Sequence, residues 1–179
     1  MAQALEFSFD GEADSSVRWL WRRLERAGVP SLHTRTHRQH RPHVTFAMAG
    51  GIPANTRKAL AGELDLLALP TLWLYTLGTF PTTDNELVIT AVVDAELLAV
   101  HSAIHDVLAK KTKNPSAYYM PGAWVPHCTL AQEIDNAQVA SGFAALHPIK
   151  PIKASVAEIG ITDTATGEID VLLARQGRV

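Results

Sequence analysis

One short phrase is written twice in this chain, as Arg41-Pro42-His43-Val44-Thr45-Phe46 and as Val125-Pro126-His127-Cys128-Thr129-Leu130. Both copies read Pro-His-apolar-Thr-apolar. Side chains on a strand alternate between faces, so His43 and Thr45 share one face while Val44 and Phe46 take the other. His127 and Thr129 stand in the same way against Cys128 and Leu130. Two such strands facing one another make a pocket with two imidazoles and two hydroxyls, a set suited to acid-base chemistry on a phosphodiester. Imidazole titrates near neutrality, so one ring can be neutral while the other is protonated. The neutral ring removes a proton from water or a ribose hydroxyl, and the protonated ring gives one to the leaving oxygen. Each transfer is typically worth roughly 10²–10⁴ in rate. Thr45 and Thr129 would donate to non-bridging phosphate oxygens as charge develops there. We assign His43 as base and His127 as acid for hydrolysis, an assignment that the symmetry of the motifs leaves close to arbitrary.

The neighbouring sequence supports strands at both motifs. Pro42 and Pro126 fall at strand starts, where a missing N–H is tolerated. Ala47 and Ala131 are expected on the same face as the motif residues, leaving room for a ligand. The two histidines are 84 positions apart, and the surrounding pattern follows that offset. Leu72, Tyr75 and Leu77 align with Val156, Ile159 and Ile161. Upstream, Leu5–Phe9 matches Leu87–Val93. Each half reads as strand, helix, His-x-Thr strand, helix and strand pair. The period is too long for a solenoid. It predicts a single two-lobed domain over 1–179, with repeats at about 4–84 and 85–179.

The pattern predicts a strand over 4–9 and a helix near 13–27, capped in the Asp14-Ser15-Ser16 stretch and closed by Gly28 and Pro30. A second helix spans about 53–68. Strands 72–80 and 86–93 form a hairpin across 81–85. Asp94 caps a third helix over 95–111. A loop covers 114–122, the second motif strand 124–133, and a fourth helix, capped by Asp135-Asn136, 136–146. A hairpin of 152–162 and 168–175 ends the chain.

Composition sets the limits. The chain has 179 residues, 47% of them hydrophobic, enough for a real core. The formal charge of −2 gives no global basic field for long nucleic acid. One cysteine excludes an internal disulfide framework and a Cys-rich zinc site. The N-terminus lacks the pattern of a secretory signal, and the longest apolar stretch, 64–74, is broken by Asp65 and Pro70 and too short to span a bilayer. The expectation is a soluble, cytoplasmic protein with no obligate protein partner.

Paired motifs at this spacing, in a duplicated α/β plan, resemble the two-histidine phosphoesterase superfamily, which includes 2′-5′ RNA ligase-like proteins and cyclic phosphodiesterases. The resemblance covers nearly the whole chain and rests on His43-Val44-Thr45-Phe46 and His127-Cys128-Thr129-Leu130. It implies an α+β, bilobal, pseudo-twofold fold, with two antiparallel sheets flanking a central cleft and helices outside. It also implies metal-independent attack on 2′,3′-cyclic or 2′-5′ phosphodiesters of RNA ends or small nucleotides, with no cofactor, reversible in principle as a 2′-5′ ligation. Many RNA-ligase-like members carry an arginine three residues after the second motif threonine; here the residue is Gln132. Two other readings stay open: a nucleotide- or RNA-binding module with little turnover, and a phosphoesterase for a non-RNA cyclic phosphate such as an ADP-ribose derivative.

Other candidates surround the motifs. Arg35, Arg38 and Arg41, with His33, His37 and His40, are either an electrostatic guide for phosphates or a solvated loop. Arg41 is the one closest to His43 and the candidate substrate contact. Tyr118, Tyr119 and Trp124 could stack on a base or pack on the core; Tyr119, Trp124 and Gln132 complete the substrate-binding candidates. His101 and His105, four apart on a predicted helix, lack the Glu of the zinc-protease motif and read as a helix-surface pair. Cys128 reads as a buried, inert thiol.

Overall fold

The computed structural model describes residues 2–35, 37–80, 85–109 and 111–175. Along the chain run β1 (Gln3–Phe9), α1 (Gly11–Arg26), β2 (His43–Gly51), α2 (Ala54–Leu66), β3 (Leu72–Gly78), β4 (Asn85–Ala91) and α3 (Ala95–Leu108). They are followed by β5 (Lys113–Pro115), β6 (His127–Ile134), α4 (Asn136–Leu146), β7 (Ile152–Ala154), β8 (Val156–Asp163) and β9 (Ile169–Ala174). The fold is α+β. Its described strands form two antiparallel sheets, one ordered β5-β2-β1-β8-β9 and the other β6-β4-β3-β7.

Each motif strand sits beside the strand that opens its own half: β2 pairs with β1, and β6 with β4. The closing strands cross over. β3, from the first half, lies in the sheet of the second motif, and β8–β9 lie in the sheet of the first. The helices cross as well. α1 and α4 pack together against β6, β7 and β4, whereas α2 and α3 pack together against β9 and β2. α1 buries Val17, Leu20, Trp21 and Leu24, the stripe expected from 3.6-residue spacing. α4 approaches β4 and α1 so closely that a Cβ at Gly142 would collide with Leu87 Cδ1 and lie 3.2 Å from Leu24 Cδ2.

Several boundaries differ from expectation. α1 starts at Gly11, because Asp10, the residue directly after β1, is the one that accepts from Ala13 N at 2.9 Å. Asp94 caps α3 through Leu97 N, and Asp135 forms a capping box with Gln138 on α4, as their sequence positions suggest. The expected strand 152–162 is two strands. It breaks at Ser155, whose N–H is taken by Asp10 Oδ2, so that β7 pairs with β3 and β8 with β1. The expected loop 114–122 includes the end of β5, which adds to the edge of β2. The turn expected at 81–85 falls mostly on residues 81–84, outside the described residues. No helix of the described residues is long and apolar enough to cross a membrane.

Candidate active site

The two motif strands carry the same irregularity. On β2, Thr45 pairs with Glu6 and Ala47 with Leu5, leaving Phe46 as an extra residue. On β6, Thr129 pairs with Val88 and Ala131 with Leu87, leaving Leu130 as the extra. A bulge of this kind re-aims the side chains that follow it. The face expected for Ala47 and Ala131 is therefore wrong. Both are buried, and Met48 and Gln132 point into the cleft in their place. A β-bulge also takes carbonyls out of the ladder, and here side chains supply the missing donors. Trp124 Nε1 donates to Thr45 O at 3.0 Å, His105 Nε2 bonds Phe46 O at 3.1 Å, and Trp21 Nε1 donates to Thr129 O at 3.3 Å.

The cleft holds a cavity of about 220 Å³ lined by His43, Thr45, His127 and Thr129 together with Arg41, Tyr119 and Gln132. All four expected catalytic side chains and three of the four expected substrate contacts thus converge. Trp124 does not join them. It lies behind β2, stacked on His101 with ring centres 3.9 Å apart and planes 2° from parallel. Its part is to hold the bulge.

Both imidazoles are oriented alike. His43 Nδ1 lies 2.6 Å from Arg41 O, and His127 Nδ1 lies 2.7 Å from Val125 O. A carbonyl only accepts, so each Nδ1 carries the proton, and in the neutral ring Nε2 is left with a lone pair. Phe80 meets the His127 ring edge-on at 4.9 Å. The surroundings then differ. His43 Nε2 is 3.4 Å from Glu6 Oε1, and Glu6 Oε2 accepts from Thr162 Oγ1 at 2.7 Å. The residue paired with Thr129, where Glu6 would be in the other sheet, is Val88. Burial lowers the His127 pKa, the Val125 carbonyl offsets part of that, and His43 lowers it further.

Sequence reasoning missed Glu6. A signal existed: Glu6 and Ser8 alternate with Leu5, Phe7 and Phe9, which marks a polar face on a buried strand. It missed Glu86 for the same reason; that residue pairs with Gln132 and also lines the cavity. Tyr119 is packed among these groups. Burial pushes its phenol up to about 12, with Glu86 and Glu6 adding to the effect. Arg41 forms an ion pair with Glu158 at 2.6 Å at the cavity wall. Arg35 is no solvated side chain, since it donates to Glu133 O at 2.9 Å and ties the lead-in loop to β6. His40 also lines the cavity; burial, then His37, His43 and His33, lower its pKa to about 4.

His101 and His105 are not a surface pair. His101 is 2% exposed and its Nε2 lies 2.9 Å from Tyr119 O. Cys128 is buried opposite the cleft, and burial pushes its thiol up to about 12, far from a reactive thiolate. Among the described residues no three or more His, Cys, Asp or Glu gather in a way that could hold a metal ion.

With this geometry in place, comparison with known proteins is decisive for the family. A family model described as the 2′-5′ RNA ligase superfamily matches residues 13–168. The chain belongs to this superfamily of two-histidine phosphoesterases. Two solved structures share its fold. One, titled "Crystal structure of phosphoesterase", has a TM-score of 0.52 and 15% identity, covering 94% of this chain and 92% of that one. The other is Usb1 from Kluyveromyces marxianus, with a TM-score of 0.52 and 9% identity, covering 96% and 97%. No curated protein matches the sequence. The matched span includes His43 and His127, whose strands carry equivalent bulges and equivalent bonds from Nδ1 to a carbonyl.

Proposed function

We propose that this two-histidine phosphoesterase is a metal-independent phosphodiesterase acting on 2′,3′-cyclic or 2′-5′ phosphodiesters of RNA ends or small nucleotides, with 2′-5′ ligation as the reverse direction. The observation that carries the reading is the convergence of two Nε2-facing imidazoles and two motif hydroxyls on one cavity. One imidazole supplies the base and the other the acid, so both proton transfers are covered by the chain's own groups. Thr45 and Thr129 bind the non-bridging oxygens.

The asymmetry of the pocket favours the reverse of the order read from the motifs. His127 has its pKa lowered by burial and starts neutral, so it takes the proton from water. That leaves His43, whose Nε2 faces Glu6 Oε1 at 3.4 Å, as the donor to the leaving ribose oxygen. In ligation a ribose hydroxyl replaces water and the cyclic phosphate supplies the energy. Tyr119 and Gln132 border the cavity where the sugar or base of the substrate would lie.

The test is hydrolysis of 2′,3′-cyclic nucleotides and of an RNA oligomer ending in a 2′,3′-cyclic phosphate, with EDTA present. Activity should fall roughly 10²–10⁴-fold in His43→Ala and in His127→Ala. Full activity in His127→Ala would overturn the mechanism.

A further inference from the structure

The face of the β6-β4-β3-β7 sheet that carries His127 continues outward past the cavity. Residues directly paired across strands share a face, and His127 pairs with Thr90, which pairs with Thr76 on β3. Buried Leu72 and Leu74 point to the helices, so alternation puts Trp73 and Tyr75 on the open face, and the bulge between Leu74 and Thr76, with Tyr75 as its extra residue, lets Thr76 follow on that face. Trp73 is 46% exposed and Tyr75 is 61% exposed. One strand further out, Lys153 pairs with Trp73 and holds its ammonium 5.8 Å from the centre of the indole. At about 4.8 Å per strand and 3.3 Å per residue, Tyr75 lies about 10 Å and Trp73 about 14 Å from His127.

The first sheet has nothing equivalent. His43 pairs with Ser8 and Ser8 with Glu158, so the matching place on β8 is held by Glu158, already paired with Arg41. The platform therefore belongs to one side of the active site alone. Two exposed aromatics on an open sheet, with a cation beside the indole, are an arrangement suited to stacking bases and drawing in a phosphate backbone.

We infer that Trp73, Tyr75 and Lys153 form a stacking platform for a single-stranded RNA, binding the nucleotides that precede a terminal phosphate held between His43 and His127. The inference rests on the proposed phosphodiesterase reading for what sits in the pocket, and it makes an RNA oligomer the preferred substrate over a mononucleotide. Bases stack on Trp73 and Tyr75 without sequence selection, and Lys153 contacts a phosphate.

The experiment compares a 2′,3′-cyclic mononucleotide with a short RNA oligomer ending in a 2′,3′-cyclic phosphate, and measures binding of the fluorescein-labelled oligomer by anisotropy. Trp73→Ala/Tyr75→Ala should raise KM for the oligomer by roughly 10-fold or more and leave kcat/KM for the mononucleotide unchanged. Trp73→Phe/Tyr75→Phe should restore most of the loss, which a structural defect in the sheet would not allow. Lys153→Ala should lower the salt slope of oligomer binding by about one. Unchanged oligomer KM and unchanged anisotropy in the double alanine variant would overturn the platform. A change in sedimentation in place of RNA affinity would also overturn it and mark a protein contact. Loss of oligomer binding in that variant, with no turnover of either substrate by the wild type, would uphold the platform and sink the phosphodiesterase reading.

Discussion

Acid should strip the support from behind the first motif strand, and His101 is the group that makes this measurable. Its ring lies flat on Trp124, 4.4 Å from the ring of His105 and near Phe46, with Nε2 donating to the Tyr119 carbonyl. Burial, then the His105 charge, hold its pKa down at about 4 against an ordinary 6.5, while the Tyr119 and Phe46 carbonyls oppose the shift. Between those two values the unfolded chain binds a proton that the folded chain refuses. Stability therefore falls as pH drops from about 6.5 to about 4, and this contribution is complete below that. At about 1.4 kcal/mol per pH unit the gap is worth about 3 kcal/mol, a sizeable part of the 5–15 kcal/mol typical of a folded domain. His101→Phe keeps a flat ring against Trp124 and removes the proton site, at a cost near 1 kcal/mol at neutral pH for the lost hydrogen bond. Urea unfolding of both proteins at pH 7 and pH 4 gives the difference directly, because His40, His105, His127 and the carboxylates are present in both. The wild type should lose about 3 kcal/mol more than the variant between the two pH values. Equal losses would refute the claim that His101 is folded in its neutral form.

The asymmetry between the two motif histidines gives two further expectations under the proposed function. Glu6 Oε1 lies 3.4 Å from His43 Nε2, the atom that would hand a proton to the leaving oxygen. Glu6→Gln should thus lower kcat roughly tenfold or more with a smaller change in KM, and a fall in KM-limited rate alone would remove Glu6 from the proton-transfer step. Because burial lowers the His127 pKa, the acid limb of the kcat/KM profile should lie below pH 6.5. A limb above 6.5 that disappears in His127→Ala would contradict its role as a base that starts neutral.

What could be read from the sequence divides along the range of the interaction involved. The two His-x-Thr phrases, the stripe on α1 and the caps at Asp94 and Asp135 all depend on neighbours within a few residues, and they stand where the pattern put them. The bulges at Phe46 and Leu130 leave no such local mark. They arise from the register between β2 and β1 and between β6 and β4, and they alone decide that Gln132, not Ala131, enters the cleft. The break at Ser155 depends on a hydrogen bond to Asp10, 145 positions away. The indole of Trp124 could equally have faced a base or the core, and the carbonyl left free by the bulge settles it in favour of the core.

The near-symmetric frame and its departures have separate uses. Equivalent strands, equivalent bulges and equivalent Nδ1-to-carbonyl bonds set two imidazoles in one pose, which is what positioning a phosphodiester between them requires. A perfectly symmetric pair would give neither ring a preferred role. Two differences break the symmetry: burial lowers the His127 pKa, and Glu6 stands beside His43 where Val88 holds the matching place beside β6. Val88 is 1% exposed and pairs directly with Thr129, so a carboxylate there would be buried in the core and would test folding before chemistry. Glu6→Val makes the two positions alike from the open side of the pair and is the sharper perturbation. It should lower kcat for hydrolysis while the unfolding midpoint is kept, and an unchanged kcat would remove this cross-strand difference from the proton transfer.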